Sequence, residues 1–323
     1  CYAAGNWLKR TEIAPSDADA GSFTLLAHQL DRQLLRLIQA ATAPGDAAGS
    51  AGGVAQRGSP RQQVADFYKA AMDDTRRDAL GLQPLLPDLQ RIDKAGRTPA
   101  DLGDLAGRVQ DGYGGSPLIN ALAMPDAKDS STHVLVLAPG SQLLTQDEYT
   151  QPAEQQLREV YRRYAMAMLN GIGVPVETAR TQAAKLLAIE SRMAAAMMTP
   201  LQMREPANSY NILSLDAAQA LVPALDLRAF LAAQGIPAPA RVQVIDINAM
   251  KALQRLLTEL PADDVKLLLR WAVVSGRAAE LGRPYRLVEE EFSRVRLGLK
   301  TPPARERVVT QQIGAQLYHP LSQ

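Results

Sequence analysis

The chain has 323 residues, of which 46% are hydrophobic and 21% are charged, a composition typical of a globular protein with a sizeable core. The formal net charge of +1 gives no general attraction to nucleic acid or to an anionic membrane, and no run reaches the roughly 18 apolar residues of a membrane span. Aromatic residues make up only 5% while alanine and leucine are abundant, which favours small, closely packed helices over a sheet-rich fold.

Cysteine occurs once, at Cys1, so no disulfide can form within the chain. One interpretation makes Cys1 the lipidated first residue of a bacterial lipoprotein. The alternative is a sequence that begins inside a longer protein, since it lacks an initiator methionine and shows no signal peptide. A lipoprotein normally has a flexible tether after its cysteine, which favours the second interpretation.

Apolar residues recur every three or four positions early in the chain, a spacing that predicts amphipathic helices. Between the first two predicted helices, residues 44–59 are rich in alanine, glycine and serine and are predicted to form a flexible loop. A shorter helix is expected between Leu80 and Ile92. The first helix carries Phe23, Leu26, Leu30, Leu34 and Leu37, and the second carries Val64, Phe67, Tyr68, Ala71 and Met72.

The segment 117–144 differs, because it contains two short apolar runs without helical spacing. Residues 118–122 and 133–137 are separated by the polar stretch 125–130. Two apolar runs around a polar turn predict a β-hairpin.

Helical periodicity returns after residue 144 and continues to the C-terminal helix, which we place within 305–323. A brief extended piece is expected between Val242 and Ile247. The sum is a mainly α fold with one small β-hairpin, and residues 1–323 are predicted to form a single domain because no long linker divides them. The later apolar stripes include Leu157, Val160, Tyr161, Tyr164, Met168, Leu186, Ile189, Met193, Val265, Leu268, Val309, Ile313 and Leu317.

The opening block resembles the start of the ectodomain in the neprilysin and endothelin-converting-enzyme family of zinc metallopeptidases. That start reads Tyr-x-x-Gly-x-Trp-Leu, then an Ile-Pro step, then Gly-x-Phe. Ala14 departs from the pattern, where the family usually has proline. Matching residues are Tyr2, Gly5, Trp7, Leu8, Ile13, Gly21 and Phe23.

Further matches follow in order along almost the whole chain. The most specific is Arg204-Glu205-Pro206 with Tyr210-Asn211 and Leu215, which is similar to Arg-Asp-Pro-x-x-x-Tyr-Asn-x-x-x-Leu in the family. Residues 126–131 resemble the turn between the family's two strands, and residues 190–194 resemble its Glu-x-x-Leu-Ala helix.

The resemblance implies the N-terminal, multi-helical lid domain of a neprilysin-like peptidase. In that family the zinc site lies in the C-terminal half, where His-Glu-x-x-His supplies two zinc ligands and the general base, and a later glutamate supplies the third ligand. The expected partners are therefore a C-terminal catalytic domain of the same protein and peptide substrates, and the expected cofactor is zinc outside this chain. The resemblance also implies an extracytoplasmic location, in the periplasm or cell envelope.

The residues of the chain itself indicate no catalytic, cofactor-binding or metal-binding site. His28, His133 and His319 lie in different predicted elements, and none has a second histidine one helical turn away. The adjacent carboxylates at 73–74, 263–264 and 289–291 do not converge on a helix, so capping or solvated roles are expected. The glycines at 112, 114 and 115 lack the lysine and hydroxyl residue of a phosphate-binding loop.

Asp19 is the one candidate for the wall of a substrate cavity. Many family members have an arginine two residues before Gly-x-Phe, where it helps hold the C-terminal carboxylate of a substrate, and Asp19 occupies that position here. An aspartate would repel such a carboxylate, whereas arginine pairs with it in fork geometry. The alternative is that Asp19 belongs to a variable polar loop and that this alignment is displaced.

Two functions remain open at this point. The first is the N-terminal domain of a zinc metalloendopeptidase, inactive alone, with an apolar surface toward the catalytic half at Tyr2, Trp7, Leu8, Val309, Ile313 and Leu317. The second is a stand-alone, non-catalytic module that binds a peptide or a protein.

Overall fold

The computed structural model describes residues 4–43 and 56–322. The described part groups into two compact units: a terminal unit of Cys1–Gly81 with Glu280–Gln323, and a central unit of Leu82–Ala279. Whether the chain is a single folding domain stays a prediction. Most of the predicted loop 44–59 lies outside the described residues, and only its last residues, ending at the helix cap Ser59, are described.

Helices dominate the described residues, which confirms the mainly α prediction, and the strands lie in the middle of the chain. The elements are α1 (Gly5–Arg10), α2 (Ser22–Thr42), α3 (Pro60–Met72), α4 (Asp74–Leu80), α5 (Leu86–Lys94), α6 (Pro99–Tyr113), β1 (Ile119–Pro125), β2 (His133–Pro139), α7 (Gln146–Thr150), α8 (Gln155–Gly171), α9 (Val176–Ala196), α10 (Pro200–Met203), α11 (Pro206–Ser209), β3 (Asn211–Ser214), α12 (Leu215–Gln219), α13 (Leu227–Ala232), β4 (Arg241–Val244), α14 (Ile247–Glu259), α15 (Ala262–Ser275), α16 (Arg283–Arg296), α17 (Arg305–Gln316) and α18 (Tyr318–Ser322).

The predicted hairpin is formed by β1 and β2, which pair antiparallel from Ile119 opposite Pro139 to Pro125 opposite His133. Its turn is closed by the Asp126 carboxylate, which accepts a hydrogen bond from the backbone N–H of Lys128 at 2.9 Å. The hairpin is not isolated as predicted, because it belongs to a four-stranded mixed sheet of order β1-β2-β4-β3. Strand β4 pairs parallel to β2 at the expected extended piece, whereas β3 has only four residues and too little alternation for the sequence to reveal it.

The terminal unit has its own small core between α2, α3 and α17. Ile38, Val64, Val309 and Ile313 form this core, and Phe67, Tyr68, Met72 and Leu317 pack against it. The prediction that Val309 and Ile313 face a missing partner is therefore wrong, since both side chains are fully buried. A stripe along one helix shows only that the stripe is covered, and here α2 and α3 cover it.

The central unit packs the sheet and helices α5 to α15 around a larger core. Within it, Tyr161 and Tyr164 meet Trp271 edge-on, with ring centroids 5.9 and 5.4 Å apart. Helices α6 and α13 approach very closely, because Gly103 and Gly107 present no side chain to the backbone of α13.

Candidate functional site: the exposed face of α2

Helix α2 presents an apolar stripe to solvent rather than to a core. Phe23 is 88% exposed, Leu26 59%, Leu30 52% and Leu37 58%. These are four of the five residues that predicted the helix, and their spacing places them along one side of it. An aligned set of exposed large apolar side chains on a folded protein typically marks an interaction surface. We call these four residues the α2 face.

The opposite side of α2 packs in the terminal unit and carries polar residues. His28 Nε2 lies 3.1 Å from Asp17 Oδ2, and Arg307 of α17 donates to Asp17 Oδ1 at 2.7 Å and to Asp31 Oδ2 at 3.1 Å. Ile38 continues this side of the helix into the core. Burial acts to raise the pKa of the Asp17 carboxyl, but hydrogen bonds from Arg307 and His28 outweigh it and hold the pKa below its ordinary value.

This polar network explains why the α2 face points outward. Arg307 bridges two carboxylates on different segments, so it ties α17 both to α2 and to the loop that precedes α2. With Asp31 and Ile38 committed to the terminal unit, the helix cannot turn Leu26 and Leu30 inward. The expectation that His28 lies on the polar surface of the helix is corrected, since it is half-buried and ion-paired.

Asp19 lies in the exposed loop just before α2. Its carboxylate accepts a hydrogen bond from Thr24 Oγ1 in the first turn of the helix. The carboxylate is thus held close to the start of the α2 face, but no other predicted site residue joins it there. Its role at a substrate stays a prediction.

The structure does not gather ligands for a metal. Among residues 4–43 and 56–322, no three histidine, cysteine, aspartate or glutamate side chains lie together in a way that could hold a metal ion. His133 begins β2 and is exposed, and the ring of His319 stacks edge-on with Tyr318 at 5.7 Å. The residues of this chain therefore do not fit a zinc site, and no step of a metal-dependent reaction is assigned to them.

Glu190, on α9, is a buried carboxyl group that the sequence did not single out. Its side chain is 3% exposed in the central unit, and its Oε2 accepts hydrogen bonds from Tyr149 Oη, at 3.0 Å, and from Tyr161 Oη. Burial raises the pKa of Glu190 to about 7, and the two hydroxyl donors only partly oppose this. Burial also raises the pKa of both tyrosines.

Sequence patterns offered only indirect signals for this cluster. Tyr161 falls on the apolar stripe of α8, and Glu190 falls among the apolar positions of α9, where a lone carboxylate is unusual. Periodicity does not show that the two helices bring these side chains together. Because Glu190 contacts tyrosine hydroxyls and no further acid or base, its contacts fit a structural role.

Every helix within the described ranges is too short or too polar to cross a lipid bilayer.

Comparison with known proteins gives consistent matches over nearly the whole chain. The N-terminal family model of peptidase family M13 matches residues 1–323. Endothelin-converting enzyme 1 of Bos taurus is 23% identical over 310 residues, which cover 93% of this chain and 40% of that protein. The Homo sapiens protein of the same name is also 23% identical, over 93% of this chain and 39% of its own length.

Solved structures show the same fold. The zinc metalloprotease Zmp1 of Mycobacterium tuberculosis, in complex with an inhibitor, matches with a TM-score of 0.87 at 22% identity, over 98% of this chain and 47% of that chain. PepO from Lactobacillus rhamnosis matches with a TM-score of 0.78 at 19% identity, over 100% of this chain and 50% of that chain. The chain thus spans about two fifths to one half of the proteins that it resembles.

Proposed function

Because this chain belongs to peptidase family M13 and corresponds to the N-terminal region of neprilysin-like and endothelin-converting-enzyme-like zinc metalloproteases, we propose that it is the non-catalytic domain of a zinc metalloendopeptidase. The parent protein would hydrolyse short peptides, and this domain would limit access to the catalytic half. The resemblance alone supports an extracytoplasmic location, and fractionation of the producing cell, with the parent protein found in the cytosol, would contradict it.

We place the zinc ion and its ligands in the C-terminal half of the parent protein. The sequence contains no His-Glu-x-x-His, and the described residues form no metal-binding group, which supports this division of labour. When bound there, zinc supplies a water molecule activated for attack on a peptide bond. The contribution of this chain would be to cover the catalytic half and to contact substrate.

The observation that carries the proposal is the α2 face. Four large apolar side chains exposed in one row lack a covering element within the described residues, and the relatives are more than twice as long as the region that matches. Burying a large apolar side chain favours association by roughly 1.5–3 kcal/mol, so this row could hold a second domain firmly. We assign the α2 face to contact with the catalytic half.

Replacing Leu26 and Leu30 together with serine should leave the terminal unit folded, because both side chains are exposed. We expect the double variant to lose binding to a separately expressed catalytic half, measured by co-purification, and to lose the chelator-sensitive peptidase activity of the mixture. Dye binding to the isolated chain should also fall, since its exposed apolar surface is reduced.

The matched control is Leu201→Ser, which changes a leucine that is 76% exposed in the central unit and should bind the catalytic half normally. Unimpaired reconstitution by the double variant would refute the assignment of the α2 face. Chelator-sensitive peptidase activity from residues 1–323 alone would refute the non-catalytic role. A parent gene without a downstream His-Glu-x-x-His would instead support the stand-alone binding module.

We propose that Asp19 disfavours substrates with a free C-terminal carboxylate. Asp19→Arg in the parent enzyme should raise kcat/KM for a peptide acid relative to its amide by about tenfold, because a guanidinium pairs with a carboxylate through two charge-assisted bonds. Glu12→Arg, an exposed change in the same segment, is the charge-matched control. An equal change for acid and amide would show that Asp19 does not face the substrate terminus.

A further inference from the structure

A cavity of about 280 Å³ lies in the central unit, between the end of α9 and the length of α14. Its inner wall is apolar and almost entirely buried, with Leu118 1%, Met250 3%, Leu253 5% and Leu256 3% exposed. Methionine side chains are flexible and polarisable, so a wall that contains them adapts to apolar groups of different shape. The remaining apolar lining residues are Met193, Met197, Pro139 and several alanines.

Polar contacts outside the cavity hold its two helices apart. The buried Asp246 carboxylate accepts the backbone N–H of Met198 at 2.7 Å, just after α9, and that of Ala249 at 2.9 Å, at the start of α14. At the other end, Arg192 of α9 forms an ion pair with Glu259 of α14. The cavity therefore lies between two fixed points, so it is pre-formed.

Short side chains keep the space open between those two points. Ala195 and Ala196 line it from α9, and Ala249 and Ala252 line it from α14. A longer residue at any of these positions would close the gap with material from the chain itself. Its volume lies just below the roughly 300–1,000 Å³ of drug-sized ligand pockets, so it suits a single large side chain rather than a cofactor.

Charge at the cavity edge favours a ligand that carries one negative group. Arg192, Arg255 and Glu259 line the edge, and the ion pair between Arg192 and Glu259 neutralises two of these charges. The Arg255 guanidinium is exposed and has no ion-pair partner among the described residues. An apolar group seated in the cavity would place an adjoining carboxylate near Arg255.

We propose that this cavity binds the apolar C-terminal residue of a peptide, with the side chain inside and the terminal carboxylate paired with Arg255. The choice of a peptide rests on the proposed function, while the apolar and anionic character of the ligand rests on the cavity. Hydrolysis of a peptide bond creates a new C-terminal carboxylate, so cleavage products belong to this class of ligand.

Methyl-labelled methionine makes the test local. The chain has nine methionines, and three of them, Met193, Met197 and Met250, line the cavity. In NMR titrations of chain 1–323, an N-acetylated tripeptide ending in leucine should shift these three methyl signals and leave Met72 and Met203 unchanged. The same tripeptide as a C-terminal amide should bind about tenfold more weakly, because the charge-assisted contact with Arg255 is lost.

Two variants separate the parts of the proposal. Ala252→Phe should fill the cavity and abolish the methyl shifts, and an unchanged melting temperature would show that the fold persists. Arg255→Gln should remove the preference for acid over amide, whereas Arg180→Gln, an exposed change at the other end of α9, should keep it.

Equal affinity for acid and amide, shifts confined to other methionines, or no shift at millimolar peptide would each overturn the proposal. Octanoate binding without peptide binding would also overturn it, in favour of a lipid-like carboxylate. The titration involves no cleavage, so it can succeed or fail whether or not the parent protein proves to be a peptidase.

Discussion

Replacing Glu190 with glutamine should change how the stability of the central unit depends on pH. Glu190 is buried, and its pKa is raised from 4.5 to about 7 in the folded chain. The folded state therefore binds this proton more tightly than the unfolded state, and the resulting stabilisation is present below pH 4.5 and is lost as pH rises through 7. Because a tenfold change in proton affinity is worth about 1.4 kcal/mol, the loss amounts to about 3 kcal/mol.

The expected result is a difference between two curves. The gap in unfolding free energy between wild type and Glu190→Gln should move by about 3 kcal/mol in favour of the variant between pH 5 and pH 8. Urea unfolding followed by Trp271 fluorescence measures it, in a Trp7→Phe background so that the signal reports on the central unit. Trp271 is suited to this because it contacts Tyr161, a hydrogen-bond partner of Glu190.

Glu159→Gln is the matched control, since Glu159 is an exposed carboxylate on α8. That variant should follow the wild-type pH profile. Parallel curves for wild type and Glu190→Gln would mean that Glu190 keeps an ordinary proton affinity and that solvent reaches it in the folded state.

Gly107→Ala should destabilise the central unit, although alanine is the better helix former. A methyl group on Gly107 would overlap the carbonyl oxygen of Phe230 on α13, and that oxygen belongs to backbone that cannot swing aside. Overpacking of this kind typically costs about 1–3 kcal/mol, so we expect a loss of this size in unfolding free energy.

Gly112 lies on the same helix and supplies a control of opposite sign. No atom lies within 4 Å of the position that a methyl group would take there, so Gly112→Ala should stabilise the protein by up to about 1 kcal/mol. Denaturant unfolding of the two variants measures both effects. Stabilisation by both substitutions would show that α6 and α13 do not approach as closely as described.

Both results depend on contacts that no local pattern contains. The spacing of Leu102, Leu105 and Val109 predicts a buried helix face, but it does not predict that α13 crosses at Gly103 and Gly107. Likewise, Glu190 and Tyr161 are far apart in the chain, and only the packing of α8 against α9 turns an ordinary carboxylate into one with a pKa near 7. Desolvation and backbone overlap are properties of the space between helices, so one helix at a time cannot reveal them.

The cavity edge shows the same limit. Alanines at 195, 196, 249 and 252 appear in the sequence as good helix formers and nothing more. Their common effect, an open space beside Arg255, exists only because Asp246 and the pair of Arg192 with Glu259 hold α9 and α14 at a fixed separation.

The amino-acid sequence by itself determined the family, the mainly helical fold, the β1–β2 hairpin and the lack of a His-Glu-x-x-His pattern, because motifs and periodicity are local properties. Tertiary structure decided which side of each stripe is covered. Val309 and Ile313 became core, whereas Phe23, Leu26, Leu30 and Leu37 remained in solvent. The physical reason is that an apolar stripe states a need for burial without naming its partner, and the ion pairs of Arg307 with Asp17 and Asp31 turned α2 so that this need is unmet within the described residues.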